Sequence, residues 1–348
     1  MPDYKCSSCG GSMEFDSKTQ KLICPFCGAE HDAASYDMQQ TAAQQSGQGA
    51  GFSVQQSEWN VNADGLMSYI CKNCGGEVLG DETLASTNCP YCDSPIVRND
   101  QFSGGLKPDL IIPFKLDKKQ AKEKLNRFIS GKKLVPKVFK DSKHIDEIKG
   151  VYVPFWLFDA DVEGEAQFSA ERQQGNEIGT FDVYRRGTLS FRDIPVGAST
   201  KLQAEMTESI EPYKMNEATA FTPAYLAGYM ADKYDITPEE CLMRGNERIK
   251  KSVEEELAKT MQGYSSSHAT SSNMNILQGQ AKYALLPVWI LNTTWEGKKY
   301  RFAMNGQTGK YTGDMPYDKK AYKKHFLLTG FATAAIVFAV LFLIWFFR

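Results

Sequence analysis

The sequence predicts an α+β protein: two small four-cysteine zinc ribbons, a larger mixed α+β domain with antiparallel strands, and one C-terminal transmembrane helix. Three observations predict it. Eight of the nine cysteines fall before residue 93, all in Cys-x-x-Cys pairs. Between residues 105 and 316, aromatic and β-branched runs are interspersed with capped helical patterns. Residues 326–347 form one apolar run with no charge.

Taken in order, residues 1–32 carry the first cysteine cluster, "CSSCGGSMEFDSKTQKLICPFC". Residues 33–68 include "QQTAAQQSGQGAGFSVQQSE", whose Gln, Ala, Gly and Ser cannot bury a core and read as a flexible linker. Residues 69–98 carry the second cluster. The clusters are an internal repeat, since Cys6, Cys9, Cys24 and Cys27 map onto Cys71, Cys74, Cys89 and Cys92 at a constant offset of 65. Gly10, Pro25 and Phe26 map onto Gly75, Pro90 and Tyr91.

In the α+β domain, Asp117 with Gln120 reads as a capping box, followed by an apolar face of Ala121, Leu125, Phe128 and Ile129. Thr237, Pro238 and Glu240 open a second helix with a stripe of Leu242, Ile249, Val253, Leu257 and Met261. Strands are expected at "VYVPFWLFDADVEG", "GTFDVYRRGTLSF", "YALLPVWILNTTW" and "KKYRFAMN", with a tight turn at Asn305-Gly306.

The cysteine spacing carries the chemistry. Zinc takes four thiolates in a tetrahedron that leaves no open position for water. Each Cys-x-x-Cys turns two sulfurs toward one ion, and the glycines after Cys9 and Cys74 let the turn be sharp. The expected ligands are Cys6, Cys9, Cys24 and Cys27 for one structural Zn²⁺, and Cys71, Cys74, Cys89 and Cys92 for a second. A rubredoxin-like iron site uses a longer gap. A redox Cys-x-x-Cys opens a helix after a strand, a pattern missing here. Each half needs its metal, because about 30 residues bury too little to fold unaided. His31 is left out, since four cysteines complete the shell.

Charge argues against nucleic acid. Residues 1–34 hold three lysines against five carboxylates, and residues 66–100 hold two basic residues against five. Phosphate binding draws on Lys and Arg, which these modules lack, so protein recognition is favoured. Residues 101–150 are the exception, with 13 Lys and Arg against 6 Asp and Glu. That stretch reads as a solvated helix face or as a contact with an anionic leaflet. Signals of catalysis are poor. "NGQTGKYT" fails as a phosphate loop because Met304 stands where the first glycine belongs and Tyr311 follows Lys310. Cys241 reads as a core thiol. Binding rather than enzymatic activity is expected.

A helix over the run 326–347 is about 33 Å long, enough for a hydrocarbon core of about 30 Å. Lys319, Lys320, Lys323 and Lys324 precede it and Arg348 follows. The positive-inside rule then places the N-terminal bulk in the cytoplasm, giving a single-pass, tail-anchored protein of the cytoplasmic membrane. The opening residues show no secretory signal, and a reducing cytosol suits metal-binding thiols.

The eight cysteines, "VPFWLFDADVEG", "IEPYKMNEATAFTPAYLAGYMADKYD", "LLPVWILNTTWEGKKYRFAMNGQTGK" and the terminal apolar segment resemble bacterial membrane proteins described as transcription factor IIB-type zinc-ribbon-containing proteins. The resemblance implies association with phage-shock-type and flotillin-like (SPFH-domain) membrane proteins in envelope stress. The expectation is an adaptor that recruits protein partners at the bilayer. The alternatives are a nucleic-acid-linked regulator using the ribbons and an enzyme with its site in the α+β domain.

Overall fold

The computed structural model describes residues 13–32, 52–54, 59, 61, 64–80, 87–99, 105–132, 134–140, 145, 147–175 and 177–346. In chain order the first strands are β1 (Glu14–Asp16), β2 (Lys21–Ile23), β3 (Glu30–Asp32), β4 (Phe52–Val54), β5 (Met67–Ile70), β6 (Glu77–Gly80), β7 (Val97–Asn99) and β8 (Leu110–Ile111). The larger domain adds β9 (Lys149–Gln174), β10 (Glu177–Gly197), β11 (Thr219–Ala220), β12 (Met230–Asp232), β13 (Ser266–Trp295), β14 (Lys298–Asn305) and β15 (Tyr311–Gly313). Its helices are α1 (Lys118–Ser130), α2 (Ala204–Ser209) and α3 (Pro238–Ala258), and α4 (Lys319–Phe346) closes the chain. The α+β class, the antiparallel strands and the long apolar C-terminal helix are as expected.

Both capping boxes form. Asp117 accepts from the Gln120 N–H at 2.7 Å and Thr237 from the Glu240 N–H at 3.3 Å, with each N3 side chain reaching back to the cap backbone. The buried faces are Ala121, Leu125 and Ile129 on α1, and Cys241, Gly245, Ile249, Val253 and Leu257 on α3. Burial pushes the Cys241 thiol up to about 11, so it is an inert core group.

β9 is the central strand. It pairs antiparallel with β13 from Lys149 to Glu171, antiparallel with β10 from Phe155 onward, and parallel with β12 at Val151 and Tyr152. Its first half is buried on both faces, which is why "VYVPFWLF" is a continuous apolar run rather than an alternating one. Tyr152, Trp156 and Phe158 join the helices in one cluster, while Val151, Val153, Phe155 and Leu157 join the second ribbon and α2 in the other. The buried indoles are satisfied, Trp156 by the Ile236 carbonyl at 2.9 Å and Trp289 by the Leu116 carbonyl at 3.1 Å.

The strands run further than the sequence suggested. At 26 residues β9 spans about 85 Å, and with β10 and β13 it makes a three-stranded arm. On this arm Ala166, Phe168 and Ala170 are buried and the intervening residues are polar. α3 lies against it closely: a Cβ on Gly164 would stand 2.4 Å from Val253 Cγ1.

Two expectations are corrected. The segment 33–68 is not linker throughout. Phe52–Val54 pairs in parallel with Gly279–Ala281 of β13, and Trp59, Val61 and Leu66 are buried. Trp59 stacks edge-on against Phe221 and donates to Asp64 at 2.7 Å. Apolar residues spaced through a polar segment sufficed to fold its end. Residues 33–51, 55–58, 60, 62 and 63 lie outside the described residues. The second ribbon, in turn, is no free module. β6 pairs with β12 at Leu79 and Ala231, so β5, β6 and β7 extend the main sheet. The described part of the first ribbon also packs on the core, with Phe15 edge-on to Tyr225 and Lys18 paired to Asp117 at 2.6 Å.

Beside the second ribbon lies a buried carboxyl, Asp232, 2 % exposed. Burial pushes it up to about 7; the Ser199 and Tyr91 hydroxyls and Lys201 pull it down and Asp235 adds to the rise. A folded pKa above the unfolded value means the native state holds the extra proton, so stability falls as pH rises from about 4 to about 7. Asp232→Asn should flatten that slope and raise the melting temperature at pH 8. An unchanged melting profile from pH 4 to pH 8 would show that the carboxyl is not strained.

Candidate metal centre

The second ribbon is built on two matching turns. The Cys71 carbonyl accepts from the Gly75 N–H at 2.8 Å, and the Cys89 carbonyl accepts from the Asp93 N–H at 3.0 Å. The Cys71 N–H donates to the Gly76 carbonyl at 2.9 Å, and the Cys89 N–H to that of Ser94 at 2.8 Å. Each turn requires a left-handed residue after its second cysteine, supplied by Gly75 at φ 68° and Asp93 at φ 61°.

These turns converge four sulfurs. Cys71 and Cys92 Sγ stand 3.4 Å apart, Cys74 and Cys89 Sγ 3.6 Å, and all four lie within 4.8 Å of one another. A tetrahedron with metal–sulfur bonds of about 2.3 Å has edges of about 3.8 Å, so the donor set fits zinc. Cys71 and Cys89 are buried and Cys74 and Cys92 half-buried, which suits a closed structural site. Burial pushes the Cys89 and Cys74 thiols up. At Cys92 burial is overcome by hydrogen bonds from Ser94, and the thiol comes down to about 6. A dication offsets the cost of burial, because coordination deprotonates the thiol. The Tyr91 N–H donates to Cys89 Sγ at 3.4 Å, a contact that favours thiolate.

Gly75 offers a clean test. A Cβ there meets nothing within 4 Å, so Gly75→Ala strains only the backbone. It should cost about 1–2 kcal/mol, which is about 5- to 30-fold in zinc affinity, read by chelator competition. Zinc release indistinguishable from wild type would refute the strained turn.

In the first ribbon the second knuckle is described and repeats the same bonds. The Cys24 carbonyl accepts from the Gly28 N–H at 2.9 Å and the Cys24 N–H donates to the Ala29 carbonyl at 2.9 Å, with Gly28 at φ 73°. Cys6 and Cys9 lie outside the described residues.

The sequence analysis missed the groups that seat the second ribbon. Asn292 Nδ2 donates to the Pro90 carbonyl at 2.7 Å, Arg301 Nη2 to that of Tyr91, and Lys299 Nζ to that of Cys92 at 3.5 Å. Lys149 Nζ reaches the Asn88 and Cys89 carbonyls at 3.3 and 3.5 Å and Asp93 at 2.6 Å. Arg301 also binds the Lys201 carbonyl at 2.5 Å and Asn292 Oδ1 at 3.2 Å. Burial pulls its guanidinium below the ordinary value, while Tyr91 and the nearby cysteines act in the other direction. The signal was present: Asn292 and Arg301 are polar residues directly opposite each other on otherwise apolar strands.

Residues 1–32 match a zinc ribbon domain family. Over 324 residues the chain is 33% identical to the "Uncharacterized protein YdjG" of Bacillus subtilis (strain 168), covering 91% of this chain and 90% of that protein. No solved structure matches.

Proposed function

This chain belongs to the family that includes the Bacillus subtilis protein YdjG, and from that premise we propose that it is a membrane-tethered zinc-ribbon adaptor that acts by binding rather than by catalysis. The observation that carries the reading is the seating of the second ribbon. Five consecutive knuckle carbonyls, Asn88 to Cys92, are held by side chains of a protein surface. The ribbon scaffold of this chain is therefore chemically suited to protein contact, as its acidic balance also suggests.

The tether is α4, the one helix among the described residues long and apolar enough to cross a membrane. Asp318 caps it, accepting from the Lys320 and Ala321 N–H groups at 2.8 and 3.2 Å, while its own N–H donates to the Leu134 carbonyl at 2.8 Å. This bond fixes the basic segment after α1 beside the lysines at the bilayer boundary. Anchoring raises the effective concentration of ribbons for partners in the same membrane. The proposed placement is the cytoplasmic face of a bacterial cytoplasmic membrane, with two structural Zn²⁺. The proposed partners are membrane proteins of the SPFH or phage-shock type, which the resemblance implies.

The test is affinity purification of the full chain from crosslinked membranes, in parallel with Cys24→Ser, Cys27→Ser. The wild type should recover a set of membrane proteins that the variant loses. A set unaffected by the ribbon change, or recovery of nucleic acid instead, would sink the adaptor reading.

A further inference from the structure

The two ribbons are copies of one module, yet only one knuckle tip is covered. In the second, Tyr91 is 3 % exposed, Pro90 is buried, and the Arg301 guanidinium carbon lies 5.7 Å from the Tyr91 ring centroid. In the first, the equivalent residues Pro25, Phe26, Cys27 and Gly28 are all exposed, and Phe26 is 76 % exposed. The backbone of the two tips is the same. Gly28 N–H to Cys24 O at 2.9 Å matches Asp93 N–H to Cys89 O at 3.0 Å, and Cys24 N–H to Ala29 O at 2.9 Å matches Cys89 N–H to Ser94 O at 2.8 Å. The first tip therefore presents the same fan of carbonyl oxygens around an aromatic ring, on a turn held rigid by its own hydrogen bonds.

We propose that the Cys24–Gly28 knuckle is a docking tip for a partner protein that offers a basic, carboxamide-bearing β-hairpin, chemically like the hairpin of Asn292, Lys299 and Arg301 that seats the second knuckle. Guanidinium and ammonium groups bind a cluster of carbonyls near thiolates, and an Arg plane also covers an aromatic face. Charge selects the same partner. The described lysines of this ribbon are already paired, Lys18 with Asp117 at 2.6 Å and Lys21 with Glu30 at 2.9 Å, so neither is left to hold a phosphate. A rigid tip with a large aromatic is also the form that interface anchors take.

The proposal rests on the adaptor reading and deepens it. Its test uses the full chain in detergent micelles and, as probe, a fluorescent cyclised peptide of residues 288–305, which carries Asn292, Lys299 and Arg301. The probe should bind wild type, and Phe26→Ala should weaken it by at least about tenfold. Phe26→Tyr should retain binding, because the twin position uses tyrosine. Arg301→Ala in the probe should cause a comparable loss. Phe26 is exposed, so the alanine variant should keep the wild-type zinc content. Equal binding to wild type and Phe26→Ala, no binding to wild type, or binding of a single-stranded RNA 20-mer that Phe26→Ala abolishes would each overturn the docking tip. The first two outcomes leave the adaptor reading standing, since that depends on partners recovered from membranes and not on this hairpin.

Discussion

A chain carrying Cys71→Ser and Cys74→Ser should hold one zinc ion in place of two and should lose much more than a ribbon. A structural zinc site of this kind contributes about 10–16 kcal/mol of apparent binding energy to folding. A whole domain is stable by only about 5–15 kcal/mol. In this protein the ribbon and the domain are not independent, because β6 is hydrogen-bonded to β12 and Tyr69, Val78, Tyr91 and Ile96 lie in the same cluster as Val151, Phe155 and Leu286. The loss should therefore reach the sheet. Metal analysis should show half the wild-type zinc, and the near-ultraviolet signal of Trp156 and Trp289 should melt at a much lower temperature. Unchanged zinc would refute two independent sites. Half the zinc with an unshifted melt would mean that the second ribbon only leans on the sheet.

The second large effect is expected at Arg301. Its guanidinium donates to Tyr91 O, Lys201 O and Asn292 Oδ1, all part-buried. Hydrogen bonds to a charged group contribute about 1.5–3 kcal/mol each, with further cost when a buried acceptor is left unmet. Arg301→Ala should therefore destabilise by at least about 3 kcal/mol, and amide exchange at Cys89 and Asp93 should rise before that of β9. Arg301→Lys should recover only part, since one ammonium cannot reach three acceptors spread around a planar fork. A denaturation midpoint within error of wild type would show that the ribbon is seated by its strands alone.

Local chemistry was readable in the sequence wherever it depends on neighbours in the chain. Thr237 with Glu240 and Asp117 with Gln120 cap helices because the partners are three residues apart. Cys71 and Cys74 share a turn for the same reason, and the apolar run of α4 needs no tertiary context to be recognised. Strand length was less legible. "SSHATSSNMN" lacks an apolar pattern because it lies on an arm whose buried face is supplied largely by β9, so pairing decides its conformation.

What the sequence by itself determined is the donor set: eight cysteines in four knuckles, two copies of one module, a mixed α+β domain and an apolar helix. What only the tertiary structure decided is where the copies stand. Tyr91 and Phe26 occupy the same position of the same motif, yet one is covered by Arg301 and the other is open. The cause is non-local: Asn292 and Arg301 lie some two hundred residues further along the chain and meet the second knuckle only because β13 and β14 pair beside it. Spacing within a motif fixes how a metal is held, and packing between distant strands fixes which copy is left to bind.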